Sequence, residues 1–365
     1  MRIALLTYST KPRGGVVHTL ALAEALAALG EQVDVWTLGR DGDTTFFRPV
    51  DPRVGVRAVP FPAVDGEDVG ARIVRSIAVL RAAFGAERAA YDVVHAQDCI
   101  SANAALPCLR TIHHLDQFTT PELAACHERA VVEPIGRICV SEAVAAEVEQ
   151  GWGLRPTVIP NGVDADRFAA ASGDLVGRAR WRERIGGRYV LALGGIEPRK
   201  GSIDLLEAHA ELVCREPSLA DVRLVFGGGE TLFDYRAYRA DFEERAAALD
   251  TAPVVLGPVP DDDLPALVAE ASALGFVSTK EGFGLAAMEA LAAGVPVIAR
   301  DLPVLREVFG DAVHFAGDVP GIARVLTGVL VTRPDPAPGR ALAASYTWSA
   351  AARAHRNLYA DRLRS

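Results

Sequence analysis

The sequence predicts an α/β protein built as two doubly wound parallel-sheet domains. Three observations lead there. Short apolar strand-like runs alternate with helix-length stretches from end to end, a rhythm that builds a mostly parallel sheet covered on both faces. The rhythm breaks at the turn-rich Pro160-Asn161-Gly162-Val163-Asp164 and then restarts. The chain has 365 residues, which suits two domains of ordinary size better than one.

In the first half, Ile3–Thr7 reads as a strand, Val16–Leu29 as a helix closed by Gly30, and Val33–Leu38 as the next strand. Ile73–Phe84 has helical spacing. Val93–Ala96, Thr111–His113, Arg137–Val140 and Thr157–Ile159 are short strands, with the helix Glu142–Gln150 between the last two. In the second half, Tyr189–Leu193, Val222–Phe226, Val254–Leu256, Leu274–Val277 and Val295–Ala299 read as strands. They alternate with helices at Ile203–Glu216, Phe233–Leu249 and Leu264–Ala271 and with a loop-helix element over Glu281–Gly294. The expected organisation is an N-terminal domain over 1–165, a C-terminal domain over 166–345, and a last helical stretch over 346–365 that packs back on the first domain. Ligands of such folds lie at the carboxyl ends of the strands, here expected in a cleft that the two domains face.

Composition narrows the function. Half of the residues are hydrophobic, and the formal net charge of −9 argues against wholesale nucleic-acid binding. No apolar run approaches the roughly 20 residues of a membrane span. The five cysteines, Cys99, Cys108, Cys126, Cys139 and Cys214, are scattered without a Cys-x-x-Cys pair, so no disulfide framework or zinc site is expected and a cytoplasmic setting fits.

The chemistry concentrates in the second half. Glu281-Gly282-Phe283-Gly284-Leu285 leads into an apolar helix that carries Glu289 and ends at Gly294. A helix starting near Phe283 offers unpaired N–H donors and the positive end of its dipole to a phosphate. Glu281 and Glu289 are expected on the order of 12 Å apart, a span that suits the sugar and the ribose at the two ends of a nucleotide sugar. Glu289 stands among Ala287, Met288, Ala290 and Leu291, where a charge implies a partner. The loop Gly194-Gly195-Ile196-Glu197-Pro198-Arg199-Lys200-Gly201 follows a strand, and its adjacent cations suit a pyrophosphate.

Other segments are open to two readings. Lys11-Pro12-Arg13-Gly14-Gly15-Val16 and Gly227-Gly228-Gly229-Glu230 are binding loops or plain turns, and neither has the Gly-x-Gly-x-x-Gly spacing of a dinucleotide site. Of His95, His113 and His114, one is expected to face a ligand and the others to be structural. Asp41-Gly42-Asp43 reads as a turn and Asp261-Asp262-Asp263 as a helix cap rather than as metal ligands. The helix bearing Arg72, Arg75, Arg81 and Arg88 is a packed surface helix or, less simply, a peripheral membrane contact.

Taken together these motifs resemble the retaining, nucleotide-sugar-dependent glycosyltransferases of family 4, which have the GT-B architecture of two Rossmann-like domains. The resemblance is carried by Glu281-Gly282-Phe283-Gly284 with Glu289, by Gly294-Val295-Pro296-Val297, by Lys200-Gly201, and by Pro160-Asn161-Gly162-Val163-Asp164 with Phe168. Gly14-Gly15, Val94-His95 and His113 match more weakly. It implies that His113, Arg199, Lys200 and Glu281 stand at the reacting centre, and that Gly14, Gly15, Lys200, Glu289 and the backbone of Phe283, Gly284 and Leu285 bind the donor. Glu289 would bond the ribose and Lys200 the diphosphate, with neither metal nor cofactor. The partners implied are a nucleotide-sugar donor and a hydroxyl acceptor. Where the family has an arginine after the first glycine of the lysine loop, this chain has Gly195, and Arg199 is the expected substitute. The rival readings are an epimerase or hydrolase using the same donors, a dinucleotide-dependent dehydrogenase, and a non-catalytic sugar-binding protein.

Overall fold

The computed structural model describes residues 1–40, 42–115, 120–229 and 235–364. The chain divides into two compact units, 1–162 with 347–365, and 163–346. In unit 1 the strands are β1 Arg2–Leu6, β2 Gln32–Arg40, β3 Val54–Phe61, β4 Val93–Ala96, β5 Leu109–Ile112, β6 Gly136–Cys139 and β7 Thr157–Val158. Helices α1 Gly14–Ala28, α2 Val69–Glu87, α3 Cys99–Ala105, α4 Pro121–Val132 and α5 Glu142–Trp152 connect them. The sheet order is β3-β2-β1-β4-β5-β6-β7 with every pair parallel.

Unit 2 opens with α6 Ala165–Ala171 and α7 Leu175–Ile185. It continues with β8 Tyr189–Leu193, α8 Ser202–Arg215, β9 Arg223–Gly227, α9 Arg236–Ala248, β10 Val254–Gly257, α10 Leu264–Glu270 and β11 Ala273–Phe276. It closes with α11 Leu285–Ala293, β12 Val297–Arg300, α12 Pro303–Phe309, β13 His314–Ala316, α13 Val319–Thr332 and α14 Ala337–Ser345. Its sheet, β10-β9-β8-β11-β12-β13, is again wholly parallel. Both sheets reverse winding direction beside their first strand, between β1 and β4 and between β8 and β11. Two crossover loops diverge at such a point and leave a crevice at the carboxyl edge.

The cores are what the patterns require. Strands buried on both faces read as unbroken apolar runs, as Ile3, Ala4, Leu5 and Leu6 do at full burial. Some expected elements differ in detail. The strand expected at Thr111–His113 lies at Leu109–Ile112, leaving His113 just beyond its end. The helix expected to start near Phe283 starts at Leu285, because Gly284 adopts φ +101° and breaks the helix there. The beginning of the helix expected at Phe233–Leu249, Glu230 of the glycine loop and Asp41 lie outside the described residues. Asp263 makes no cap bond; it pairs with Arg180, and Asp261 with Arg167. Among the described residues no helix is long and apolar enough to cross a membrane.

The last helix, α15 Trp348–Arg364, belongs to unit 1. Its Ala352 and Tyr359 are buried in the same core as α1 and β1. Gly162 meets its start: a Cβ there would stand 2.2 Å from the Trp348 backbone nitrogen. Replacing Gly162 by alanine is therefore expected to destabilise the protein by about 1–3 kcal/mol, read as a lower midpoint in denaturant unfolding.

Candidate functional site

The cationic loop after β8 and the acidic loop after β11 leave the sheet on either side of the second winding reversal. Their side chains meet there. Lys200 Nζ donates to Glu281 Oε1 at 2.6 Å, and Arg199 Nη1 donates to the same oxygen at 3.2 Å. Arg199 also pairs with Glu197 at 3.1 Å. The loops are stitched by the Thr279 N–H donating to the Arg199 carbonyl at 2.8 Å. Glycine is required at the hinge of this arrangement. Gly201 has φ +65°, and a Cβ there would lie 2.5 Å from the Val277 carbonyl oxygen. Lys200 Nζ stands 5.6 Å from the centroid of the Phe276 ring, a distance at which a cation is attracted to the π face.

Beneath the lysine is a cavity of about 10 Å³, bounded by Gly194, Gly195, Lys200, Phe276 and Ser278 among others. That is room for about one water. Gly195, which stands where an arginine was expected, lines this cavity.

Helix α11 begins directly after the acidic loop. Its N-cap, Gly284, makes no side-chain cap bond, and no acid occupies the first turn, so the end of the helix carries an uncompensated positive dipole. A Cβ on Gly284 would meet Phe309 at 2.9 Å. Phe283 turns its side chain into unit 2 against Tyr346, with ring centroids 5.3 Å apart, leaving only its backbone for a ligand.

Glu289 is the fifth residue of α11. Its carboxyl is pushed up to about 8, first by burial and then by Asp261 and Asp164, with Arg167 opposing. Arg167 Nη2 is itself committed to Asp261 Oδ2 at 2.7 Å. The cation that opposes the rise is thus already shared with Asp261.

In unit 1, His113 follows β5 and faces the start of α1. A Cβ on Gly15 would lie 3.5 Å from His113 Cδ2, an ordinary van der Waals contact, so the start of α1 packs directly on the imidazole. Gly14 has open space around it. Behind His113 stands His18, with ring centroids 4.8 Å apart. His18 Nδ1 donates to Asn161 Oδ1 at 2.8 Å, which leaves Nε2 bare. Burial depresses all four histidines of this region. His18 falls to about 3 and His355 to about 4, and His95 and His113 lie well below the usual imidazole value. All four are neutral at pH 7, His113 among them. His95 is bonded on both nitrogens, to Tyr359 at 2.7 Å and Thr111 at 2.8 Å, and is structural.

The arginines on and just after α2 bond to the protein itself. Arg75 makes a bidentate pair with Glu67 at 2.6 and 2.7 Å, Arg81 reaches the Asn103 carbonyl at 2.8 Å, and Arg88 reaches the Ala105 carbonyl at 2.5 Å. Among the described residues no group of three histidine, cysteine or acidic side chains is placed to hold a metal ion. Two groups at these sites were not singled out from sequence. His18 lies inside an apolar helix, and Arg110 is a charge within the buried strand β5. In each case a polar residue within an apolar run is the signal that marks it.

Two wholly parallel Rossmann-like units make the GT-B fold, which carries glycosyltransferases. Family models agree with this along most of the length: Glycosyltransferase Family 4 matches residues 12–167 and Glycosyl transferases group 1 matches residues 178–337. The chain belongs to glycosyltransferase family 4. Its curated relatives include the D-inositol 3-phosphate glycosyltransferase of Frankia alni, 31% identical over 90% of this chain and 84% of that protein. The enzyme of the same name from Geodermatophilus obscurus is 30% identical over 92% and 80%. Among solved structures, sucrose-phosphate synthase from Thermosynechococcus elongatus superposes with TM-score 0.75 at 20% identity, covering 99% of this chain and 98% of that one. Anabaena HepE in complex with UDP and glucose gives TM-score 0.75 at 18% identity over 99% of both chains.

Proposed function

We propose that this enzyme transfers a sugar from a uridine-diphosphate sugar to an acceptor hydroxyl, with retention of anomeric configuration and without a metal ion. The observation that carries the reading is the meeting of Lys200 and Arg199 with Glu281 beside the open end of α11. Two cations and a helix dipole converge where a leaving diphosphate would develop charge, and preorganised charge of that kind supplies most of the catalysis in such transfers. They occupy the neutralising role that a divalent cation fills elsewhere. Uridine is favoured as the base because fold relatives were solved with UDP, UDP-glucose and UDP-2-fluoro glucose.

Membership of the family supports retention, and the state of Glu281 bears only on the route to it. Double displacement needs a free carboxylate nucleophile, whereas Glu281 is tied to two cations on one oxygen. A same-face substitution, in which the diphosphate leaves and the acceptor hydroxyl arrives on one side of the sugar, asks for no such nucleophile. Glu289 takes the ribose hydroxyls, and the backbone of Phe283, Gly284 and Leu285 takes the sugar and diphosphate. His113 and the Gly14-Gly15 loop serve the reacting sugar from unit 1.

Thermal unfolding with UDP, GDP, ADP and NAD, each with magnesium or EDTA, tests the donor. UDP is expected to raise the midpoint equally in both conditions. Stabilisation by NAD alone, or only with magnesium, would overturn the reading. Nuclear magnetic resonance of the product's anomeric proton tests the stereochemistry, and an inverted anomer would refute retention.

A further inference from the structure

We propose that Cys99 and Cys126 of unit 1 form a reversible disulfide when the protein meets a hydroperoxide, a modification that ties the start of α3 to the middle of α4. Cys99 is the first residue of α3, and Cys126 is the sixth of α4. One side chain shows how near the two helices come. Asn103 Nδ2 donates to the Cys99 carbonyl at 2.8 Å, to the Cys126 carbonyl at 2.7 Å and to Cys126 Sγ at 3.4 Å. Both backbones therefore lie within reach of a single amide nitrogen, the closeness that a disulfide asks of two cysteines. The two sulfurs are also hydrogen-bonded to each other.

The two thiols are unlike. Cys126 is 4% exposed, whereas Cys99 is partly exposed. The hydrogen bond with Cys99, and then burial, push the Cys126 thiol well up, with Asp98 adding to the rise and the Arg110 guanidinium opposing it. Cys126 thus keeps its proton, and Cys99 is the sulfur that an oxidant reaches first. Arg110 acts on both sulfurs, and a cation beside a thiol favours the thiolate that attacks. The other cysteines are placed differently. The Cys108 thiol is turned to the Ala102 carbonyl at 3.8 Å, Cys139 is buried in β6, and Cys214 is exposed on α8 of unit 2.

The chemistry runs in two steps. The Cys99 thiolate attacks one peroxide oxygen: an S–O bond forms, the O–O bond breaks, and hydroxide leaves and takes up the proton that Cys99 shed. The product is a sulfenic acid and one water. The Cys126 sulfur then attacks the Cys99 sulfur: the S–S bond forms, the S–O bond breaks, and a second water leaves with the Cys126 proton. Two thiols lose two electrons, and one peroxide becomes two waters. In a reducing compartment such a bond is transient, which suits a response to oxidant rather than a permanent staple. Asp98, next to Cys99, caps α3 by accepting from the Ser101 N–H at 2.7 Å and also holds the Tyr8 N–H at 2.9 Å, so the link bears on the loop after β1.

The test uses the full chain with Cys214→Ser, since that exposed thiol reacts on its own account. Thiols are counted in denaturant before and after one equivalent of hydrogen peroxide, and the linkage is located by mass spectrometry of the unreduced digest. Two of the remaining four thiols are expected to be lost, in one linked pair holding Cys99 and Cys126, and dithiothreitol is expected to restore both. Adding Cys126→Ser is expected to leave Cys99 as a sulfenic acid that dimedone captures. Adding Cys99→Ser is expected to lose no thiol. If Cys126→Ser does not fold, the parent pair and Cys99→Ser carry the test. Retention of all four thiols, a linked pair that joins other cysteines, thiol loss in Cys99→Ser equal to that of the parent pair, or oxidation that dithiothreitol does not reverse overturns the proposal.

Discussion

Lys200→Ala is expected to lower turnover by about 10²–10³-fold, the usual consequence of removing one preorganised donor from a developing charge. Donor affinity is expected to fall far less. In the ligand-free protein Lys200 is already paired with Glu281 at 2.6 Å, so ground-state binding gains only the difference between two anionic partners. The leaving diphosphate carries more charge than the bound donor and gains more from the lysine. Steady-state kinetics on the variant, with donor affinity measured separately by calorimetry, separates the two terms. A turnover number like that of the parent enzyme would remove Lys200 from the reaction. Glu281 adds a second consequence: freed of its lysine in this variant, it leaves Arg199 as the remaining cation on its oxygen.

The second large effect concerns Glu289. A carboxylate accepts hydrogen bonds from both ribose hydroxyls, whereas the protonated acid accepts fewer. With the free group held up to about 8, UDP affinity is expected to rise about tenfold per unit as pH approaches that value from below, then level off. Binding near neutrality should release close to one proton, seen as a dependence of the titration enthalpy on the buffer. Glu289→Gln is expected to abolish both the slope and the proton release. Stability moves in the opposite direction. The folded carboxyl lies above its ordinary value of 4.5, so the folded state holds the proton more tightly. Its favourable contribution is present in full below about 4.5 and is lost as pH rises through about 8. Glu289→Gln should therefore melt higher than the parent at alkaline pH and alike in acid. A pH-independent UDP affinity in the parent would sink the ribose role.

Much of this was readable in the sequence, for reasons that particular residues show. Buried parallel strands such as Ile3–Leu6 and Tyr189–Leu193 are continuous apolar runs and could hardly be read otherwise. β3 was missed because it is an edge strand. Only Val54 and Phe61 of its eight residues are buried, and Pro60 interrupts the pattern. α7 exposes Leu175 and Val176 and buries Gly177, Trp181 and Ile185, one residue per turn, too thin a stripe to see.

At the site, the motif residues were legible because each sits in its own short loop. Their mutual contacts were not, since Lys200 and Glu281 are 81 positions apart and only the sheet order brings them together. The pairing of His18 with Asn161, separated by 143 positions, was invisible for the same reason.

Because α15 belongs to unit 1, the chain makes unit 2 as an insertion within unit 1, entering at residue 163 and leaving at 346. Synthesis runs from the N-terminus, and domains tend to fold as units while the ribosome is still working. Unit 2 is complete once residue 346 has been made, but unit 1 must wait for the strand-covering helix that supplies Ala352 and Tyr359 to its core. The half that starts first therefore finishes last. Until then the α1 and β1 surface that α15 covers stays open, so a nascent chain stalled before residue 348 should draw chaperones to its N-terminal half and spare the second.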